Sequence, residues 1–174
     1  QQIPETKGYC LVLDCGEGGL ACELARRSKF QIVGVVPDAN AADKVRELLD
    51  RAGLSGRVTV HPSINGRLPF TSYFANLVVS DGMLRGKRLL DDPREIMRVL
   101  RPSGGVLLLG AWSDARKLME RWGQAFSPQW KMTDQDSRTW GRFERGNLDG
   151  SGEWTHQYAE PGNTTCGDDQ LVKC

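Results

Sequence analysis

The sequence lacks any apolar stretch approaching the ~20 residues a membrane-spanning helix requires. It also lacks a run of one charge sign: Lys and Arg total 23, Asp and Glu 22, and the net charge is +1. Neither a nucleic-acid footprint nor a membrane-surface patch is expected. Histidine is scarce, at two residues, and none of the five cysteines at 10, 15, 22, 166 and 174 stands in a CxxC pair, so no metal site is assigned. A disulfide framework is not expected either. Cys10, Cys15 and Cys22 fall in or beside the first strand and helix and read as buried free thiols, while Cys166 and Cys174 lie in a polar tail and are expected to be exposed. A charged-then-apolar leader is missing. The opening "QQIPETKGYC" meets the first strand within eight residues and is expected to be a cut from a longer protein.

The 174 residues suit one domain with an appendage, and 39% hydrophobic with 26% charged residues allows a sizeable core. "GYCLVLD", "FQIVGVV", "RVTVH", "FANLVVSD" and "PSGGVLLLGA" are short apolar runs. Between them, "LACELARR" and "AADKVRELLDRAG" have apolar residues at helical spacing, the second ending at a glycine stop, Gly53. "DDPREIMRVL" opens with Asp and an early Pro, good helix-start chemistry, and "SDARKLMERWGQAF" from Ser113 is a helix capped by Ser or Asp. Continuous apolar runs mean strands covered on both faces. Their alternation with helices means right-handed βαβ units. Residues ~8–126 are therefore predicted to form a doubly wound, mostly parallel α/β sheet, with strands near 9–13, 31–36, 57–61, 75–80 and 104–110. "QWKM" and "TWGRFER" are read as two further strands closing one edge as a hairpin.

In such folds ligands bind beyond the carboxyl ends of the strands, at the topological switch point. Three stretches should meet there: Asp14-Cys15-Gly16-Glu17-Gly18-Gly19, Gly34-Val35-Val36-Pro37-Asp38 and Val79-Ser80-Asp81-Gly82. Gly16 and Gly18 allow close backbone approach, and the helix that follows offers free N–H groups. A lone GxG also fits a plain tight turn, but an acid immediately before it strengthens the signal. The dinucleotide fingerprint GxGxxG is not met, because its last place holds Ala21, so a nicotinamide-dependent oxidoreductase is a poor fit.

"VLDCGEGG", "IVGVVPD", "LPFTSYFANLVVSDGML" and "EIMRVLRPSGGVLLLG", in this order and spacing, resemble the successive motifs of class I methyltransferases that use S-adenosylmethionine. The resemblance covers residues ~8–110. It implies a Rossmann-like sheet of five to seven strands, a glycine loop that cradles the methionine part of the cofactor, and an acid at the end of strand two that holds both ribose hydroxyls. The implied cofactor-binding set is Asp14, Gly16, Gly18, Gly19, Val36, Asp38 and Asp81. The implied partner is a small-molecule methyl acceptor.

The chain departs from that pattern at several places. Leu20 replaces the third glycine of the loop, and the following helix is about two residues short. The ribose position is Val36, with Asp38 two residues further on, past a proline. Strand three carries "TVHPSI" where the family often has an adenine-binding acid, and Phe74-Ala75-Asn76-Leu77 lacks the acid of the family's Phe-Asp motif. Few residues precede strand one, where the family has covering helices. The expectation is that the fold is kept and S-adenosylmethionine affinity is weak. No catalytic residue is assigned. Asp81 is the best-placed acid, with a cap role the plainer reading; His61 is read as structural, and Trp112, Met119 and Trp122 as core.

From about Asn147 the chain turns to Gly, Asp, Asn and Thr with few aliphatics, which cannot build a core. "GEWTHQYAEPGNTTCGDDQLV" is similar to the opening of a repeat in β-propellers of the pyrroloquinoline quinone enzyme type. This divides the chain into a methyltransferase-like α/β domain, 1–146, and a polar tail, 147–174. It implies a parent protein with a propeller domain; pyrroloquinoline quinone would belong to that parent and not to this fragment. Two functions stay open: a methyltransferase-like domain, and a non-catalytic Rossmann-like structural or interaction module inserted in a propeller protein.

Overall fold

The computed structural model describes residues 7–64, 67–86, 92–152 and 169–171. Seven strands form one sheet in the order β3-β2-β1-β4-β5-β7-β6. β1 (Lys7–Leu13), β2 (Lys29–Val36), β3 (Val58–Pro62), β4 (Leu77–Ser80) and β5 (Val106–Trp112) are parallel. β6 (Lys131–Gln135) and β7 (Arg138–Glu144) form the expected edge hairpin, with β7 antiparallel to β5. The turn between them is two residues, Asp136 and Ser137, both at positive φ (50° and 61°), the geometry that matches strand twist in a tight hairpin.

Both faces of β1, β2, β4 and β5 are covered, which explains their unbroken apolar runs, whereas β3 and β6 keep exposed residues. Cys10, Val12, Ile32, Val36 and Val60 pack with α1 (Gly19–Arg27) and α2 (Ala39–Arg51) through Ala21, Ala25, Ala42, Val45 and Leu49. Leu11, Leu13, Val33, Val35, Leu107 and Leu109 pack on the other face with α3 (Asp81–Leu84), α4 (Pro93–Val99) and α5 (Arg116–Gly123), through Met83, Ile96, Val99 and Met119. Burying each such side chain contributes roughly 1.5–3 kcal/mol. Among the described residues no helix is long and apolar enough to cross a membrane.

Several local expectations need correction. Trp112 is not core: it ends β5 and is 48% exposed, with the Arg138 guanidinium 4.5 Å from its ring centroid. Met119 is fully buried and Trp122 partly so. The stretch from Ser113 has no side-chain cap; it enters α5 through a 3-10 turn, Ser113–Ala115. Cys10 and Cys15 are buried free thiols, but Cys22 is only half-buried. Cys166 and Cys174 lie outside the described residues.

Candidate functional site

The sheet switches between β1 and β4: the helices that follow these neighbouring strands lie on opposite faces. Beyond the carboxyl ends of β1, β2 and β4, where ligands bind in such folds, lie 14–19, 36–38 and 80–85.

Asp14 follows β1 at φ 45°, half-buried, and packs against Gly82, where an added Cβ would overlap its carboxyl group. Cys15 anchors the loop: its N–H donates to the Val35 carbonyl at 2.8 Å, and its thiol fits over Gly34, where a Cβ would lie 2.8 Å from Sγ. Burial pushes the Cys15 thiol up to about 12, with Asp81, Cys22 and Asp14 adding and Arg85 opposing, so Cys15 is no nucleophile. Gly16 (φ 57°) and Gly18 (φ 84°) occupy left-handed conformations that a side chain would strain. Gly18 is the N-cap of α1 and has no side chain with which to cap the helix. Around Gly19 an added Cβ would meet no atom within 4 Å.

The other two stretches behave differently. Val36, the last residue of β2, is 2% exposed and belongs to the apolar cluster under α1 and α2. Asp38 is the N-cap of α2, its Oδ1 accepting the Ala41 N–H at 2.8 Å. At the end of β4 the cap is Ser80, whose hydroxyl accepts the Met83 N–H at 3.2 Å; Asp81 instead pairs with Arg85 at 3.5 Å. His61 is exposed on β3, edge-on to the Phe70 ring at 5.8 Å.

Sequence reasoning missed Arg85. Its guanidinium crosses from α3 to the glycine loop, where Nη2 donates to the Asp14 carbonyl at 3.2 Å. A Cβ added to Gly16 would overlap Nη2, Nη1 and Cζ of this one side chain. A cavity of about 390 Å³ opens beside the end of β5, lined by Met83, Gly86, Ala111, Trp112, Asp114 and Leu118 among others.

No curated protein matches the chain. Solved structures do. A provisionally assigned S-adenosyl-L-methionine-dependent methyltransferase from Methanococcus maripaludis superposes with a TM-score of 0.65 at 18% identity, over 84% of this chain and 81% of that one. A SAM-dependent methyltransferase from Aquifex aeolicus gives 0.62 at 14% identity, over 82% and 84%. The [4+2]-cyclase SpnF gives 0.61 at 22% identity, over 78% of this chain but 57% of that one. At such identities the likeness shows the fold. Residues 11–108, more than half the chain, match the family model described as "Methyltransferase domain". The chain belongs to the methyltransferase domain family, with the seven-stranded Rossmann-like fold of its class I members.

Proposed function

We propose that this is an S-adenosylmethionine-dependent methyltransferase-like domain whose hold on the cofactor is weakened. The observation that carries this is at the end of β2. Val36 turns into the core, and Asp38 engages its own helix as the N-cap of α2. The glycine loop fits the methionine part of the cofactor, since Gly19 is open and the start of α1 has no side-chain cap. The ribose end does not fit the family's pattern. A hydrogen bond to a charged group contributes about 1.5–3 kcal/mol, so its loss weakens binding roughly ten- to hundred-fold. The proposed contact set remains Asp14, Gly16, Gly18, Gly19 and Asp81, with Val36 and Asp38 at the ribose. When bound, the cofactor would supply an electrophilic methyl group. Transfer depends mainly on positioning, so no catalytic base is assigned. The cavity beside Trp112 is the proposed place for a small-molecule acceptor.

The test is thermal unfolding with 1 mM S-adenosylmethionine. Weak binding, with a dissociation constant above about 10 µM, adds less than about 2.7 kcal/mol, whereas a micromolar site would add about 4 kcal/mol and roughly 8–16 °C.

A second reading is a non-catalytic Rossmann-like module, favoured by the Arg85 guanidinium lying against Gly16. Domain boundaries at 1–146 and 147–174, with the tail opening a propeller repeat of a longer parent, are also proposed. The support is the tail's composition and its likeness to such repeats; Trp154 and Tyr158 lie outside the described residues.

A further inference from the structure

We infer that Arg85 is a built-in plug of the switch-point crevice, so that a ligand reaches the glycine loop only by displacing it. The inference rests on the glycine loop being the cofactor site. Three atoms of the guanidinium stand where a side chain of Gly16 would project, so the group lies against the glycine Cα. It is held on both sides of the crevice. Nη2 donates to the Asp14 carbonyl at the end of β1 and pairs with Asp81 Oδ2, 3.5 Å away, just past β4. Gly16 thus has an occupant before any ligand arrives, because two groups cannot share one van der Waals contact surface.

The plug is also removable. The Arg85 side chain is 40% exposed and that of Asp81 14%, and an ion pair of this length with its cation open to solvent holds only modestly. Arg85 lies just after the short α3 and before Gly86, which is at φ 76°, so the side chain can swing to solvent without unpacking the core. A ligand that needs the Gly16 face therefore binds with an affinity reduced by the cost of moving Arg85.

The experiment is a titration of the ¹⁵N-labelled chain with S-adenosylhomocysteine, following backbone amide shifts, in the wild type, Arg85→Ala and Arg85→Met. Both variants should keep the wild-type melting temperature within about 2 °C, as exposed substitutions do. The expected result is that the Gly16, Gly18 and Gly19 amides shift in all three proteins, with Arg85→Ala binding about three- to ten-fold more tightly. Arg85→Met, which keeps bulk without charge, should fall between. Equal or weaker binding by Arg85→Ala, with the same glycine amides shifting, overturns the plug alone and makes Arg85 a ligand contact. Shifts confined to other residues overturn the glycine-loop reading instead. No shift in any of the three proteins at millimolar ligand also overturns the plug, since an opened crevice should admit the ligand.

Discussion

The Asp38 carboxylate accepts the Ala41 N–H at 2.8 Å, so the acid closest to the end of β2 is tied to the first turn of α2. Removing the cap with Asp38→Ala should cost about 1 kcal/mol and lower the melting temperature by roughly 2–4 °C. Asp38→Asn keeps an acceptor of similar capping strength and should stay within a few tenths of a kcal/mol of the wild type. Thermal unfolding of the two variants checks this. Equal losses would mean that the carboxylate's charge matters and the hydrogen bond does not.

The two glycines at the start of α1 separate strain from ligand contact. At Gly18, φ is 84° and an added Cβ would lie 3.1 Å from Val45 Cγ1. Gly18→Val should therefore destabilise the free protein by roughly 1–3 kcal/mol, whatever it does to a ligand. Gly19 is helical, and its added Cβ meets nothing, so Gly19→Ala should keep or slightly raise stability. A comparison of denaturant midpoints checks both. Gly19→Ala is the cleaner probe of close approach: weaker binding without a stability change would place the ligand's edge there.

Acid should loosen the segment before β4. Glu95 accepts from Arg98 at 2.9 Å and from the Leu68 N–H at 3.3 Å, while Arg98 donates to the Leu68 and Phe70 carbonyls at 3.0 and 2.6 Å. The Arg98 guanidinium, through its hydrogen bond, holds the Glu95 carboxyl below its ordinary value of 4.5. A depressed folded-state pKa adds stability that is full above the unfolded value and is lost as the pH falls through the folded one. At pH 7, Glu95→Gln should cost about 1 kcal/mol, the pair being only partly shielded from solvent. The gap to wild type should close as the pH drops below 4.5. Urea unfolding across pH 3–7 measures it; a gap constant with pH would contradict the ion-pair account.

Deleting residues 150–174 should leave the α/β domain's melting temperature within about 2 °C. The domain's own hydrogen bonding runs through Asn147, whose side chain meets the Ser103 hydroxyl at 2.8 Å. Beyond it, the Gly150 carbonyl accepts from another tail residue, the Gln170 N–H, at 2.7 Å. A drop beyond about 5 °C would make the tail part of this domain's core.

The fold was readable because its signals are local and redundant. Runs such as Val33–Val36 fit only strands covered on both faces, and Asp92 before Pro93 marked the start of α4, where its side chain does accept the Arg94 N–H. The site was less readable, because its contacts join distant positions. Arg85 and Asp14 are 71 residues apart, and nothing in the local pattern announces that pairing. Asp38 carried two compatible signals, a family ribose acid displaced by two and an N-cap before "ANAAD"; the cap is what forms. Trp112 was misplaced because its spacing to Met119 and Trp122 imitates a helix that begins only at Arg116.

The central claim is a kept fold with a weakened hold on its cofactor, and calorimetric titration of S-adenosylmethionine into the wild-type chain tests it most directly. With the ribose acid displaced, the account predicts a dissociation constant weaker than about 10 µM. A constant tighter than about 1 µM would contradict it, and would mean that Asp38 leaves its cap to hold the ribose or that another group has taken its place.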